Sequence, residues 1–492
     1  MHSVSKREKY LYILIQSGIV VFLLFFFIRI CPLVVFDCDD WKYLGTFRLP
    51  IPIWKEWNPA KIMPETLMPA AGWLAAHIVY PICGDYVYSV TIVSAVIITL
   101  LIIVMCICLQ KLLVVRCHLT ISAASACEIL FLTLFFLIFR NHGTSQCMFS
   151  AADLCCIYCY TMSGLLNAIV VLIFLQFDNI TEAFLSWKHI QKLLFLILLY
   201  FALFSHLFHS ALTAIYAGVY LLINLRRYKH NYKQYIGKNI ICLLVLVMWG
   251  IALFFEANGG RADVIGADMT LDFALAIRQL IALICVLSKP FVIVLIILLA
   301  AIMFHMFTGR LRQQSEIVRI FAIIVCNESL LTIFLLLLNA KCAYMSRIDA
   351  SWGMWFYLIT MIVVAIAYLI KNIPFISRAL PVMLLLFIFA AAYPDGKFLM
   401  STREHTDYQT CVQLGQYVVD SIIEAEQSGA AEITIRIPDH SDDLRSLTYN
   451  EELGDKVANC LYVQGIITSK TNVRTVVDKN MNDIMENNTG EH

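Results

Sequence analysis

Long apolar runs separated by short polar segments make up most of residues 1–393. A run of about 20 apolar residues can cross the hydrocarbon core of a bilayer as a helix. The runs that we assign to single membrane helices are residues 10–36, 86–109, 121–139, 154–177, 239–255, 290–307, 317–338, 352–370 and 379–393. The pattern therefore predicts a mainly α-helical, polytopic membrane protein.

The apolar run over residues 193–225 is too long for one membrane helix and short for two full ones. Its middle, residues 205–210, is polar and contains His206 and His209. Because basic residues flank both ends, we predict two short helices that enter the membrane and return to the same side. Backbone polar groups at that depth are tolerated only inside protein or beside a water-filled cavity. With residues 266–288 predicted as a re-entrant or interfacial helix, we expect about eleven membrane helices.

Composition and charge agree with this interpretation. Of the 492 residues, 60% are hydrophobic and 14% are charged, whereas about a quarter of an average soluble protein is charged. These values exclude an ordinary soluble enzyme, a disordered chain and a nucleic-acid-binding protein. Residues 394–492 contain 17 acidic and 8 basic side chains, whereas the rest of the chain is net positive. We therefore predict a transmembrane domain over residues 1–393 and a soluble tail over residues 394–492.

The distribution of Lys and Arg predicts the orientation, since the cytoplasmic loops of membrane proteins are enriched in both. If the N-terminus is cytoplasmic, the cytoplasmic segments hold 17 Lys and Arg residues, and the longer loops on the opposite side hold 9. This bias predicts a cytoplasmic N-terminus and an extracytoplasmic tail.

The tail shows the periodicities of a small α/β domain. We predict a helix over residues 402–427, a strand over residues 431–437, a second helix over residues 451–462 and a second strand within residues 463–477. A region of this size can bury a modest core. Cys411 and Cys460 would form a disulfide in an oxidising compartment and stay reduced otherwise, and the sequence leaves both outcomes open.

The clearest candidate for chemistry is the acidic segment Asp37-Cys38-Asp39-Asp40-Trp41, which directly follows the first membrane helix. Carboxylates are costly near a membrane, so a functional use is a reasonable hypothesis. Asp39 or Asp40 can take a proton as a general base, or the pair can hold Mg²⁺ or Mn²⁺. The alternative is a solvated helix end that only marks the membrane interface.

The loop after this segment is long and rich in Trp, Pro and charged residues, among them Trp57 and Glu65. Trp side chains in such a loop suit either sugar stacking or an interfacial belt. Further along, Glu128 and Glu328 lie inside apolar runs, where carboxylates mark a functional interior of an enzyme or a transporter. The CxxC within Cys155-Cys156-Ile157-Tyr158-Cys159 has no second pair at ligand spacing, so we interpret it as packing.

Basic side chains on the predicted outer side indicate an anionic ligand, because positive charge is usually sparse there. Arg261 follows two glycines, which permit close backbone approach to a ligand, and its guanidinium can grip a phosphate. Lys341 and Arg347 form a second basic element before a membrane helix. The alternative for each is a flexible loop.

His206 and His209 are three residues apart and therefore share roughly one helical face. They would either line a polar cavity near the outer leaflet or take a hydrogen-bonded packing role. The sequence leaves both roles open.

Several of these features together resemble the GT-C superfamily of multi-span membrane glycosyltransferases. The acidic motif Asp39-Asp40-Trp41 after the first membrane helix, the large first external loop and the many spans carry the resemblance. The helix break at residues 205–210 is similar to short helices of that fold. Residues 259–261 and 344–347 look like later external elements of bacterial glucosyltransferase-like members. The resemblance covers residues 1–393, mostly as architecture.

The resemblance implies a hexosyltransferase of the plasma membrane that moves a sugar from a polyprenyl-phosphate donor to an envelope glycan acceptor. By analogy, Asp39 or Asp40 would be the general base or a metal ligand. The resemblance also implies that the phosphate of the donor is bound by Arg261, Arg347, Lys341, His206 and His209. Its implied acceptor-binding residues are Trp41, Trp57 and Glu65.

Two other interpretations remain. A lipid-linked-glycan polymerase or ligase shares the donor chemistry and the external arginines. A secondary transporter or flippase would explain Glu128, Glu328 and the broken helices. Transporters usually contain internal repeats, and no matching pattern between the two halves is visible in this sequence.

Overall fold

A computed structural model describes residues 6–51, 62–140, 146–151, 153–228, 231–258, 271–307, 315–342, 345–392, 408–438, 452–478 and 480–481. Two residues with predicted roles, Trp57 and Arg261, fall outside these ranges. The described chain is mainly helical.

Fifteen helices precede the tail in the described residues. They are α1 (Lys6–Phe25), α2 (Cys38–Leu44), α3 (Met63–Cys83), α4 (Tyr86–Val115), α5 (Ile121–Leu137), α6 (Leu154–Leu175), α7 (Ile180–Ser186), α8 (His189–Leu203), α9 (Leu207–Arg227), α10 (Tyr232–Ala257), α11 (Phe273–Cys285), α12 (Lys289–Phe307), α13 (Ser315–Cys342), α14 (Trp352–Asn372) and α15 (Pro374–Ala392). A π-helical turn, Phe26–Ile30, extends α1.

Eight of the described helices are long and apolar enough to cross a membrane, namely α1, α3, α4, α6, α9, α10, α13 and α14. The pair α11 and α12 is bent by 98° at a short break and would be either a ninth span or a re-entrant loop. Helices α5 and α8 are also apolar but shorter. The chain therefore has the helices of a polytopic membrane protein, while the number of eleven spans stays a prediction.

The interruption expected within residues 193–225 is present as a break between α8 and α9. Helix α9 is long enough to cross a membrane, so it is not the short helix that we predicted, whereas α8 is shorter. The buried side chain of Asn167 on α6 stabilises this break, because its Nδ2 donates to the carbonyl of Ala202 at 2.7 Å. The Asn167 Oδ1 accepts a hydrogen bond from the Thr213 hydroxyl at 2.7 Å. One buried amide thus connects both halves of the broken pair.

Helix α3 differs from the predicted architecture, since we expected a loop over residues 37–85. The three prolines of this segment argue locally against a helix, yet each lies in the first turn of a helical segment. Two π-helical turns, Met63–Leu67 and Ala75–Val79, adjust the hydrogen-bond ladder between them. The apolar spacing of the segment is therefore helical despite its prolines.

The tail contains α16 (Tyr408–Gln427), β1 (Glu432–Ile437), α17 (Leu453–Val463) and β2 (Asn472–Val477), close to the positions predicted for its elements. The two strands pair in parallel along their whole length. A parallel pair requires a crossover connection, which contains α17.

The tail packs against α2 and α3. Gln464 is 1% exposed, and its side-chain nitrogen donates to the carbonyls of Leu44 at 2.5 Å and Pro69 at 3.2 Å. Close by, the Asn459 side chain donates to the carbonyl of Gly45 at 3.4 Å. These contacts place the tail at the end of the helix bundle that carries α2.

The tail cysteines do not form the disulfide that the sequence left open. Cys460 is a free thiol, and its sulfur lies 3.8 Å from the hydroxyl of Tyr86 at the start of α4. Burial raises the pKa of the Cys460 thiol to about 12, so this cysteine is protonated and unreactive at neutral pH.

Candidate functional site

Helix α2 begins with acidic side chains because they satisfy its first backbone amides. Asp37 is the N-cap, and its carboxylate accepts a hydrogen bond from the amide of Asp39 at 2.7 Å. The Asp40 carboxylate reaches back to the amide of Asp37 at 3.2 Å, which completes a capping box. The acidic segment is thus, first of all, a helix start, in which Asp40 is buried and Asp39 is exposed.

Asp40 anchors α2 to the start of α6. Its side chain is fully buried, with Oδ2 accepting from the amide of Phe36 at 3.1 Å and Oδ1 accepting from the amide of Cys155 at 2.6 Å. Burial raises the pKa of Asp40 well above its usual range, and the charges of Asp153 and Asp37 raise it further. Asp40 therefore connects the start of α2 to the start of α6, and its carboxyl group lies near those of Asp37 and Asp153.

Asp153 is the second buried carboxylate of the site, and no prediction from the sequence includes it. It caps the N-terminus of α6, where Oδ1 accepts from the amide of Cys156 at 2.5 Å and Oδ2 accepts from the Cys156 thiol at 3.4 Å. Burial raises the pKa of Asp153 to about 6, with a further increase from Asp37 and a decrease from Arg347. Such a carboxyl group exchanges a proton near neutral pH.

Arg347 supplies a positive charge beside Asp153. Its guanidinium donates to both carboxylate oxygens of Asp349, with Nε at 3.0 Å and Nη2 at 2.5 Å. The same group lies 4.8 Å from the ring centre of Tyr160 and 3.5 Å from the Cys156 sulfur. About a third of the Arg347 side chain, 32%, stays exposed, so an anion can reach the guanidinium.

The two predicted histidines lie against the same tyrosine. The ring of Tyr160, in a π-helical turn of α6, is 4.4 Å from the ring of His206 and 5.9 Å from that of His209. His209 Nε2 lies 2.8 Å from the carbonyl of Asp349. Tyr160 and His209 therefore brace the segment that carries Arg347.

The structure thus brings four of the predicted residues, Asp40, Arg347, His206 and His209, into one neighbourhood. We call this neighbourhood the Asp153 cluster, and its members are Asp37, Asp40, Asp153, Cys156, Tyr160, His206, His209, Arg347 and Asp349. Sequence reasoning missed Asp153, Tyr160 and Asp349. A polar residue directly before an apolar helix, as Asp153 is, was the available signal.

The other predicted residues lie elsewhere. The Asp39 side chain is 61% exposed, with its carboxylate 4.0 Å from Lys42 Nζ. Glu65 forms an ion pair with Arg48 at 2.5 Å, and both side chains are mostly buried. Lys341 lies exposed in the last turn of α13.

Trp41 requires a correction. We expected its indole ring to face an acceptor, but Trp41 is 1% exposed and its ring centre lies 6.4 Å from that of Tyr86. A fully buried ring has no face on which a sugar can stack. Trp41 instead packs α2 against the first turn of α4.

The predicted metal site at Asp39 and Asp40 does not fit this arrangement. Mg²⁺ and Mn²⁺ need several convergent oxygen ligands, whereas both Asp40 oxygens accept backbone hydrogen bonds and Asp39 is on the exposed side. Within the described ranges, no three His, Cys, Asp or Glu side chains are placed to hold a metal ion. We therefore derive no step through a metal, and metal dependence stays a prediction.

Comparison with known proteins returns no match. No protein-family model matches the chain, and no curated protein and no solved structure matches it. The resemblance to the GT-C superfamily therefore rests on the residues and the predicted architecture alone.

Proposed function

We propose that the protein is a membrane glycosyltransferase that moves a sugar from a polyprenyl-phosphate donor to an envelope glycan acceptor. The observation that carries the proposal is that the Asp153 carboxyl and the Arg347 guanidinium meet at one side chain. The Cys156 sulfur lies 3.4 Å from Asp153 Oδ2 and 3.5 Å from Arg347 Nη2. A carboxylate can take a proton from an acceptor hydroxyl, and a guanidinium can bind a phosphate group. Both lie next to apolar helices, and a lipid anchor would keep the donor phosphate near them.

In the proposed reaction, an acceptor hydroxyl attacks the anomeric carbon of the donor sugar. Its proton passes to Asp153 while the new glycosidic C–O bond forms. The bond between the anomeric carbon and the phosphate oxygen breaks, and its electron pair stays on the polyprenyl phosphate. Arg347 stabilises the charge that develops on this leaving group. A base opposite the leaving group inverts the configuration at the anomeric carbon.

Asp153 suits the role of the base better than Asp40. It is 9% exposed, whereas Asp40 is 0% exposed with both oxygens held by amides. The thiol of Cys156 on Asp153 Oδ2 is a weak donor that an acceptor hydroxyl can replace. Asp40 then acts as a positioning residue, because it holds Asp153 in place through the amide of Cys155.

The pH dependence of transfer follows from the raised pKa of Asp153. A general base works only when it is deprotonated, and burial raises the pKa of Asp153 to about 6. The rate should therefore increase as the pH rises through about 6 and level off above that value. The measurement is kcat/KM in membrane vesicles over the range of about pH 5 to 8. A rate that is constant across this range would count against Asp153 as the base.

The proposed function is tested by donor turnover in vesicles that contain wild-type protein or Arg347→Gln. The probe is a tritium-labelled polyprenyl-phosphate glucose, and the readout is the release of labelled sugar from the lipid. Because the transition state loses its main cation, we expect turnover by the variant to fall by about 10²- to 10³-fold.

Arg347→Lys keeps the positive charge but loses the forked geometry of the guanidinium. Its turnover should therefore lie between those of wild type and Arg347→Gln. The matched control is Arg436→Gln, because Arg436 forms an exposed ion pair with Asp478 in the tail. Equal turnover by wild type and Arg347→Gln, at equal protein levels, would refute the role of Arg347. No turnover by the wild type with any hexose donor of this class would refute the function.

A secondary transporter or flippase is the second candidate, and one observation favours it. Glu128 is 0% exposed within apolar helix α5, and Gln16 Nε2 donates to its carboxyl group at 2.6 Å. Intramembrane carboxyl groups often carry protons in transporters. In the same vesicle assay, movement of the intact donor across the membrane without release of its sugar would favour transport.

A further inference from the structure

An apolar groove of about 630 Å³ lies between α1 and α5, and Ile388 of α15 also lines it. The two helices are parallel, since Gln16 contacts Glu128 in the first half of α5 and Phe22 contacts Phe136 near its end. The α1 residues of the groove, Ile15, Gly18, Ile19 and Phe22, follow the three- and four-residue spacing of one helical face. The groove is therefore a strip that runs along both helix axes.

One end of the groove carries a positive charge. Arg140 lines the groove one turn beyond the last residue of α5, and its side chain is 3% exposed. A guanidinium that lines a groove attracts an anionic group, which it can bind through hydrogen bonds. The lining thus changes from apolar side chains to a cation along its length, as the surface of a bilayer lipid changes from hydrocarbon to headgroup.

The groove is accessible from the surroundings of the helix bundle. Helix α1 lies at the periphery of the helix bundle, because only 22% of its most apolar stretch is buried. Gly18 widens the groove, since a Cβ atom at this position would meet no atom within 4 Å. A lipid can therefore enter sideways from the bilayer without passing through the Asp153 cluster.

We propose that this groove is a binding site for an anionic bilayer phospholipid. The acyl chain lies along Gly18 between α1 and α5, and the negatively charged headgroup contacts Arg140. This site is additional to the proposed transfer reaction, and its occupancy does not depend on Asp153 or Arg347.

Lipid retention by the purified full-length protein tests the site. The protein is equilibrated with equal amounts of phosphatidylglycerol and phosphatidylcholine, washed, and analysed for bound lipid by native mass spectrometry. We expect wild type to prefer phosphatidylglycerol by about fivefold, the effect of one cationic side chain beside an anionic headgroup. Arg140→Gln should remove this preference.

A second variant tests the apolar part of the groove and leaves the charge of Arg140 unchanged. Gly18→Leu has room for its side chain, which fills the groove, so retention of phosphatidylglycerol should fall by roughly tenfold. The matched control is Gly250→Leu, a helical glycine of α10 with equal space around it and away from the groove. This control should retain lipid as wild type does.

Three outcomes would overturn the assignment. They are wild-type retention by Gly18→Leu, equal retention of both lipids by the wild type, and displacement of phosphatidylglycerol by an equal amount of a polyprenyl phosphate. The last outcome would assign the groove to the donor lipid. Because retention is measured without sugar transfer, a failure of the proposed glycosyltransferase function leaves this test unaffected.

Discussion

Asp153→Asn is expected to lower the rate of sugar transfer by about 10²- to 10⁴-fold, the usual contribution of a general base. Asparagine has nearly the same shape as aspartate, and its Oδ1 can still accept from the amide of Cys156, now at 2.5 Å. It is also a good N-cap residue, so α6 should begin at the same place. The variant therefore removes the proton acceptor without removing the helix start. The measurement is release of labelled sugar from a polyprenyl-phosphate donor in vesicles.

The matched control is Asp39→Asn, which removes one negative charge from an exposed side chain nearby. We expect this variant to keep transfer within a few-fold of wild type. The thermal unfolding midpoints of both variants should match that of wild type. If Asp39→Asn abolishes transfer while Asp153→Asn retains it, the base lies in the acidic segment, as the family resemblance alone implied.

Gly45→Val is expected to destabilise the contact between the tail and α2. A Cβ atom at Gly45 would lie 2.9 Å from the Cα of Cys460 and 3.2 Å from its backbone nitrogen. Both atoms belong to the backbone of α17 and cannot move aside alone. The φ of Gly45 is −92°, a value open to any residue, so the effect comes from the contact and not from strain. We expect a destabilisation of roughly 1–3 kcal/mol.

Thermal unfolding and limited proteolysis of the full-length protein measure this effect. Gly45→Val should unfold at a lower temperature, and its tail should be cleaved from the membrane helices faster than in wild type. Gly237→Val is the control, because a Cβ atom at Gly237 in α10 meets nothing within 4 Å. Equal cleavage of both variants and wild type would mean that the tail does not depend on this close approach.

The sequence alone determined most of the secondary structure, because helices and strands depend on the spacing of apolar side chains in short windows. The apolar runs, the break between α8 and α9, and the alternation of helix and strand in the tail were all visible in this way. Helices α2 and α3 are exceptions, since they lie where we expected a loop. In α3, prolines are normally a signal against a helix. Its π-helical turns accommodate them, and no local rule predicts such turns.

Only the tertiary structure decided which charged side chains meet. Asp40 accepts a hydrogen bond from the amide of Cys155, 115 residues away, and Arg347 comes from a third segment. Adjacent residues of the same type also differ in burial, since Asp39 is exposed and Asp40 is buried. A one-residue step along a helix turns the side chain by about 100°, so adjacent carboxylates face different surroundings. The depth and partners of each carboxylate, and hence the raised pKa of Asp153, follow from contacts between segments that are far apart in the chain.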